Sequence, residues 1–316
     1  MKRRKILVAS VILLVGLAAA STPAGLRIIA FWGARAAAKL SSGELDSRTF
    51  ASDGVLLRYA VEGTGEPVIL VHGFASSVEH GWLGTGVIDA LVQAGFQVVA
   101  YDARGHGRSE KPYDPTRYGA EDVRDIVRLL DHLGFRQVHL VGYSRGAMLS
   151  HHARQRYPER FRSVTLGGYG SAGEGSGPVE SLPAKEVADA LERGRIGPLV
   201  QALVPENEGM PSARELALGE GALSGTNDMR ALAATFRAPP LPLIPVATFR
   251  EVSVPTLILI GEHDPMRKQA ELMAKAVDDL ELRIIPGADH LDAPGTDEFR
   301  AHLIRFLNRH RSAVKR

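Results

Sequence analysis

Residues 138–148 read VHLVGYSRGAM. The apolar run Val138–Val141 has the composition of a buried strand, and the stretch from Ala147 to Tyr157 that of a helix. Between them Gly142 and Gly146 flank Ser144 in a Gly-x-Ser-x-Gly pattern. Glycine at both places leaves out side chains where a strand and a helix approach closely. A serine on so sharp a turn stands clear of the backbone, and the helix that follows puts the positive end of its dipole beside it. The bland alternative is a tight turn in which Ser144 caps the helix. The rest of the chain decides between the two.

A serine hydroxyl is a poor nucleophile until a base takes its proton. Of the eleven histidines, His290 is the best placed: it follows the apolar run Leu282–Ile285 through the turn PGADH, on a loop at the carboxyl end of a late strand. His263 ends another strand and is second choice, His139 falls inside a strand, and His151 and His152 sit too far along the helix after Ser144. The base needs a carboxylate to orient it and to stabilise its imidazolium form. The stretch TLILIGEHDP ends a strand and presents Glu262 and Asp264, of which Asp264, just before Pro265, is the better choice. The three candidates stand in the chain order Ser144, Asp264, His290. Acyl transfer also needs two donors for an oxyanion. One is the backbone N–H of Arg145, beside the serine; the other is the N–H of Phe74, on the loop His72-Gly73-Phe74 after the run Val68–Val71. His72 itself is expected to shape that loop rather than act as a base.

Short apolar runs at Val55–Val61, Val68–Val71, Gln97–Tyr101, Val138–Val141, Val164–Leu166, Thr256–Ile260 and Leu282–Ile285 alternate with helical stretches at Val87–Ala94, Ala120–Leu133, Ala147–Tyr157 and Phe299–Leu307. Runs without polar alternation are strands buried on both faces, so the expected body is an α/β fold with a mostly parallel sheet flanked by helices. Residues 171–248 break the rhythm. They open on SAGEGSG, close on APPLPLIP and hold helical patterns at Ala184–Leu191 and Leu216–Leu223, so they read as an inserted helical cap. The core is then residues 47–170 and 249–316.

The motifs VHGF, YDARGHGRS, GYSRG, GEHDP and GADH, in that order, resemble the landmarks of the α/β-hydrolase superfamily, in its serine-nucleophile branch with a helical cap after the sixth strand. The resemblance runs over about Phe50–Asn308. It implies that the loop holding Asp102, Arg104, His106 and Arg108 is a structural turn, with Asp102 an alternative acid only if Asp264 is misplaced. Haloalkane dehalogenases and epoxide hydrolases of this family carry aspartate where Ser144 stands, so the serine favours acyl chemistry. The expectation is a serine hydrolase that cleaves carboxylic esters through a Ser-His-Asp triad and an acyl-enzyme. Alternatives are a carbon–carbon bond hydrolase or a perhydrolase of the same fold, or a non-catalytic ligand-binding relative.

Composition narrows the rest. The chain has 316 residues, 45% of them hydrophobic and 23% charged, which is ordinary for a globular protein. Its net charge of +2 owes much to Lys2, Arg3, Arg4 and Lys5, so nucleic-acid binding has no support. The chain contains no cysteine, which excludes disulfides, thiolate metal sites and a cysteine nucleophile. No metal-ligand cluster or dinucleotide loop is evident, so no cofactor and no metal are expected, and the partner is a small ester or related acyl substrate. The basic start and the uncharged stretch Ile6–Leu26 make residues 1–26 either a cleaved signal peptide or a membrane anchor, with 27–46 a linker. Either one implies a protein exported (secreted or periplasmic) or held at a membrane by its N-terminal segment.

Overall fold

The computed structural model describes residues 45–171, 183–204, 209–278 and 280–312. The segment expected to be a signal peptide or anchor, nearly all of the expected linker and most of the SAGEGSG stretch lie outside the described residues. The strands are β1 (Ser47–Ser52), β2 (Val55–Glu62), β3 (Glu66–Val71), β4 (Phe96–Tyr101), β5 (Val138–Tyr143), β6 (Phe161–Gly167), β7 (Thr256–Gly261) and β8 (Leu280–Ile285). The helices are α1 (Val87–Gln93), α2 (Ala120–His132), α3 (Arg145–Arg156), α4 (Ala184–Glu192), α5 (Gly197–Leu203), α6 (Ala213–Ser224), α7 (Met229–Arg237), α8 (Val246–Phe249), α9 (Arg267–Ala276) and α10 (Asp297–Arg309).

All eight strands lie in one sheet, in the order β1-β2-β4-β3-β5-β6-β7-β8. The pairs β1–β2 and β2–β4 are antiparallel, and every pairing from β4 through β8 is parallel. The inner strands are apolar on both faces, as a parallel sheet covered by helices demands. Ile69 and Val71 of β3 join one cluster with Val123, Ile126, Leu129 and Leu130 of α2 and Ala147, Leu149 and Ala153 of α3. Val68 and Leu70 join another with Leu91 of α1 and Phe299, Leu303 and Phe306 of α10. Period two along the strand thus feeds two cores on opposite faces.

Helix α2 begins and ends where its sequence says it should. The Asp122 carboxylate reaches back to accept the Gly119 N–H at 2.8 Å, which anchors the first turn of α2. At the other end Gly134 takes φ 71° and Phe135 N–H bonds the Leu130 carbonyl at 2.9 Å. The sequence predicts no strand before Val55, yet β1 forms. Its residues SRTFAS bury only Phe50 and Ser52, because it is an edge strand and needs only one apolar contact with the body. Helices α5, α7, α8 and α9 also escape the sequence reading; α9 buries just Ala270 and Met273.

Helices α4 to α8 stand between β6 and β7 and, among the described residues, include no strand. The apolar faces of α4 to α7 form a third cluster with Val187, Leu191, Ile196, Leu223 and Leu232, whereas Phe249 of α8 joins the core of the sheet. Among the described residues no helix is long and apolar enough to cross a membrane.

Burial sets the pH response of the fold. Burial lowers six histidines, His302 and His310 among them, and lowers four strongly: His139 and His152 to about 4, His151 to about 3, and His106 well below its ordinary value. Burial also raises Asp102 and Asp125, each to about 6. Below about pH 6.5 the unfolded chain protonates histidines that the folded chain keeps neutral, so stability is lost as pH falls toward about 4. The two aspartates act in the opposite sense below about pH 6, but they are two against four. The urea midpoint is therefore expected to be lower at about pH 4.5 than at about pH 7.5. A midpoint that rises on acidification would contradict this balance.

Candidate active site

Strand β5 runs into Ser144 and α3 begins at the next residue. Ser144 holds φ 54° and ψ −120°, one of three non-glycine residues with positive φ among those described. The strained turn is over-determined by its surroundings. Ser144 N–H donates to the Gly167 carbonyl at 2.8 Å, and its own carbonyl accepts from Ala147 and Met148 at 2.9 and 3.0 Å. A Cβ on Gly146 would stand 2.1 Å from the Val71 carbonyl oxygen, and one on Gly142 would stand 2.3 Å from that of Gly146. Only glycine fits at either place, which is why the pattern needs both.

His290 and Asp264 arrive from the ends of β8 and β7. The turn after β8 uses Gly287 at φ 67°. Asp289 and Asp292 then fold the loop reciprocally: Asp289 Oδ1 accepts from Leu291 N–H at 2.7 Å, and Asp292 Oδ1 accepts from Asp289 N–H at 2.7 Å. The loop lies against the end of β7, where a Cβ on Gly261 would meet the Ala288 carbonyl oxygen at 2.6 Å. Asp264 Oδ1 accepts the Met266 N–H at 2.9 Å, which leaves Oδ2 for the imidazole. His290 Nδ1 lies 2.8 Å from Asp264 Oδ2, and its Nε2 lies 2.9 Å from Ser144 Oγ. With Nδ1–H donating to the carboxylate, Nε2 is the acceptor for the serine hydroxyl. His290 and Asp264 are each 4% exposed, so little solvent competes for these bonds.

The loop after β3 lies alongside. A Cβ on Gly73 would come within 3.9 Å of Ser144 Oγ, so the backbone of this loop borders the hydroxyl. His72 Nε2 accepts the Ala103 N–H at 3.0 Å, so the proton is on Nδ1, which donates to the Gly73 carbonyl at 2.7 Å. That carbonyl and the N–H of Phe74 share one trans peptide and point in opposite directions. With the carbonyl turned to His72, the Phe74 N–H faces away from it. The N–H of Arg145, first in α3, has no intrahelical partner by geometry. The Arg145 side chain pairs with Asp122 at 2.8 Å and ties α3 to α2.

Asp102, Arg104 and His106 of the next loop are turned inward, while Arg108 is exposed. The Asp102 carboxylate accepts from the Val78 and Arg108 N–H groups, each at 2.8 Å, and Arg58 Nη1 lies 3.6 Å away. Arg104 grips Asp125 through Nε at 2.7 Å and Nη2 at 2.6 Å. His263 donates its backbone N–H to the Ala288 carbonyl at 2.8 Å. His139 meets Ser163 Oγ at 2.7 Å, and His151 meets the Tyr169 hydroxyl at 3.1 Å.

Two positions that hold the site were not singled out from sequence. The Tyr143 hydroxyl donates to the His290 carbonyl at 2.7 Å, and its ring packs 5.5 Å from the imidazole. Gly168, at φ 57°, makes room for both: a Cβ there would lie 2.8 Å from Tyr143 and 3.1 Å from His290 Cε1. The aromatic residue inside the elbow motif is the one available signal for Tyr143. Among the described residues, no group of three or more histidine, aspartate or glutamate side chains could hold a metal ion.

Residues 66–195 match the family model of the alpha/beta hydrolase fold, and the eight-stranded sheet carries that architecture through the rest of the body. The chain has the α/β-hydrolase fold. It is 38% identical to bifunctional epoxide hydrolase 2 of Sus scrofa over 113 residues, which is 35% of this chain and 20% of that protein's length. It is 29% identical to the non-heme chloroperoxidase CPO-A1 of Kitasatospora aureofaciens over 288 residues, 81% of this chain and 98% of that one. A carboxylesterase structure from the ammonia-oxidizing thaumarchaeon Nitrososphaera gargenis superposes with a TM-score of 0.67 at 20% identity, over 83% of this chain and 98% of the other. Identity that low carries the fold and not the activity.

Proposed function

We propose that this protein is a serine hydrolase that cleaves carboxylic esters through an acyl-enzyme. The observation that carries the reading is the hydrogen-bonded series from Ser144 Oγ to His290 at 2.9 Å and on to Asp264 at 2.8 Å, on a strained strand-to-helix turn. His290 Nε2 takes the serine proton as Oγ attacks the substrate carbonyl. The Phe74 and Arg145 N–H groups hold the oxyanion, and Asp264 stabilises the imidazolium. His290 then gives the proton to the departing alkoxide, and water repeats the sequence to release the acid. Epoxide hydrolysis does not transfer from the pig relative, because Ser144 stands where the family resemblance places aspartate in such enzymes. Helices α4 to α7 act as the cap over this site, and residues 1–26 direct the protein out of the cytoplasm or hold it at a membrane.

A second reading draws on the chloroperoxidase relative, 98% of whose length is matched. In it, hydrogen peroxide replaces water in resolving the acyl-enzyme and releases a peracid. Nitrophenyl esters of graded acyl length, with and without peroxide, separate the two. Ester hydrolysis is expected with all activity lost on fluorophosphonate labelling at Ser144. A folded protein that neither labels nor turns over any ester would leave a ligand-binding role instead.

A further inference from the structure

Phe74 and Ala75 belong to the chain of the β3 loop but not to the cores of the sheet. Ala75 is buried in the hydrophobic cluster of the helices between β6 and β7, and Phe74 packs against the same cluster. The Phe74 ring meets Phe236 of α7 edge-on, with centroids 5.0 Å apart and planes at 79°. On its other side it meets His106 at 5.7 Å and 81°. Ala75 is 1% exposed and holds φ 53°, a conformation that L-residues keep only where their surroundings enforce it.

The peptide between Gly73 and Phe74 therefore has two clamps of different origin. The body supplies His72, bonded to the Gly73 carbonyl at 2.7 Å. The helical segment supplies Phe236, packed on the Phe74 side chain. Helix α7 is itself pinned to the body at both ends. At its start the Asp228 carboxylate caps Arg230 and Ala231 N–H, each at 3.0 Å, and accepts the Tyr113 hydroxyl at 2.8 Å. Past its end, the Pro239 carbonyl approaches Gly119 so closely that a Cβ there would lie 2.8 Å away. Side chains packed this way determine where a backbone N–H points to within a fraction of an ångström.

We propose that Phe236 is a positioning residue for the oxyanion-binding N–H of Phe74, so that the seating of α7 on the β3 loop completes the acyl-transfer site. This rests on the reading of Phe74 N–H as an oxyanion donor. Loss of a whole donor typically lowers kcat by about 100- to 1,000-fold, and loosening one should cost part of that. Phe236→Ala is expected to lower kcat on nitrophenyl acetate by about 10- to 100-fold, with KM changed less than about threefold. An acyl group that short exploits little of the surrounding pocket.

A trifluoromethyl ketone adds Ser144 as a tetrahedral oxyanion, so its affinity should fall in the same proportion as kcat/KM. Phe236→Tyr keeps the ring edge and should recover most of the rate and the ketone affinity. Phe236→Leu keeps apolar bulk and guards against a fold failure in the alanine variant; it should show a smaller loss with the same proportionality. Folded variants with wild-type kcat, or a loss carried by KM with unchanged ketone affinity, would overturn the proposal. Absence of Ser144-dependent ester turnover in the wild-type protein would instead overturn the reading beneath it.

Discussion

Ser144→Ala is expected to lower kcat for ester hydrolysis by about four orders of magnitude or more, with the fold intact. The hydroxyl is the only group at the turn that can attack a carbonyl, and His290 Nε2, 2.9 Å away, has no proton to accept once it is gone. What turnover remains would come from the oxyanion donors and from binding. The same residue makes a second measurement informative. At φ 54° and ψ −120° a side chain costs on the order of 1–3 kcal/mol, and alanine keeps that cost because it keeps Cβ. Ser144→Gly removes it, against an entropic cost of about 0.5–1 kcal/mol. The glycine variant should be as inactive as the alanine variant yet melt roughly 2–4 °C higher than the wild type. An alanine variant that hydrolyses esters at the wild-type rate would remove Ser144 from the reaction. A glycine variant that melts lower than the wild type would mean that the turn stores no strain.

Asp264→Asn is expected to lower kcat by roughly 1,000- to 10,000-fold while leaving KM and the melting temperature nearly unchanged. An asparagine oxygen can still accept the Met266 N–H that Asp264 Oδ1 holds at 2.9 Å. The amide nitrogen then faces His290 Nδ1, where Oδ2 now lies at 2.8 Å. An amide donor there forces the proton onto Nε2, the atom that should accept from Ser144. The imidazole keeps its place, because the Tyr143 hydroxyl holds the His290 carbonyl and the Asp289–Asp292 turn holds the loop. The defect is thus in the tautomer, not the position, and it should be relieved at no pH at which the fold survives. Wild-type turnover in this variant would shift the orienting role elsewhere. Asp102 is a poor substitute, because both of its carboxylate oxygens are spent on the Val78 and Arg108 N–H groups.

Much of the body is legible in sequence because buried strands and amphipathic helices leave periodic apolar patterns. Strands β3, β4, β5 and β7 carry short, mostly apolar runs, and Gly95 and Gly134 mark helix ends with positive φ. The elements that stay hidden are those for which periodicity is weak. Strand β1 needs one buried aromatic residue, and α9 needs two small contacts. The helical segment is harder for a different reason. Its apolar side chains pack mostly on one another and on the β3 loop, so nothing in their spacing names their partners.

The sequence by itself determined the residue types and their order: a serine between two glycines at a strand-to-helix boundary, then an aspartate and a histidine at the ends of later strands. Local patterning suffices for that, since a nucleophile elbow is a short-range device and strand ends are marked by turns. Only the tertiary structure decided that Tyr143 and Gly168 brace the imidazole, and that Phe74 leans on Phe236, 162 positions away in the chain by residue number. Those choices depend on the register of parallel strands and on which side chains fill the space between layers. Such long-range packing leaves no periodic trace in the residues themselves.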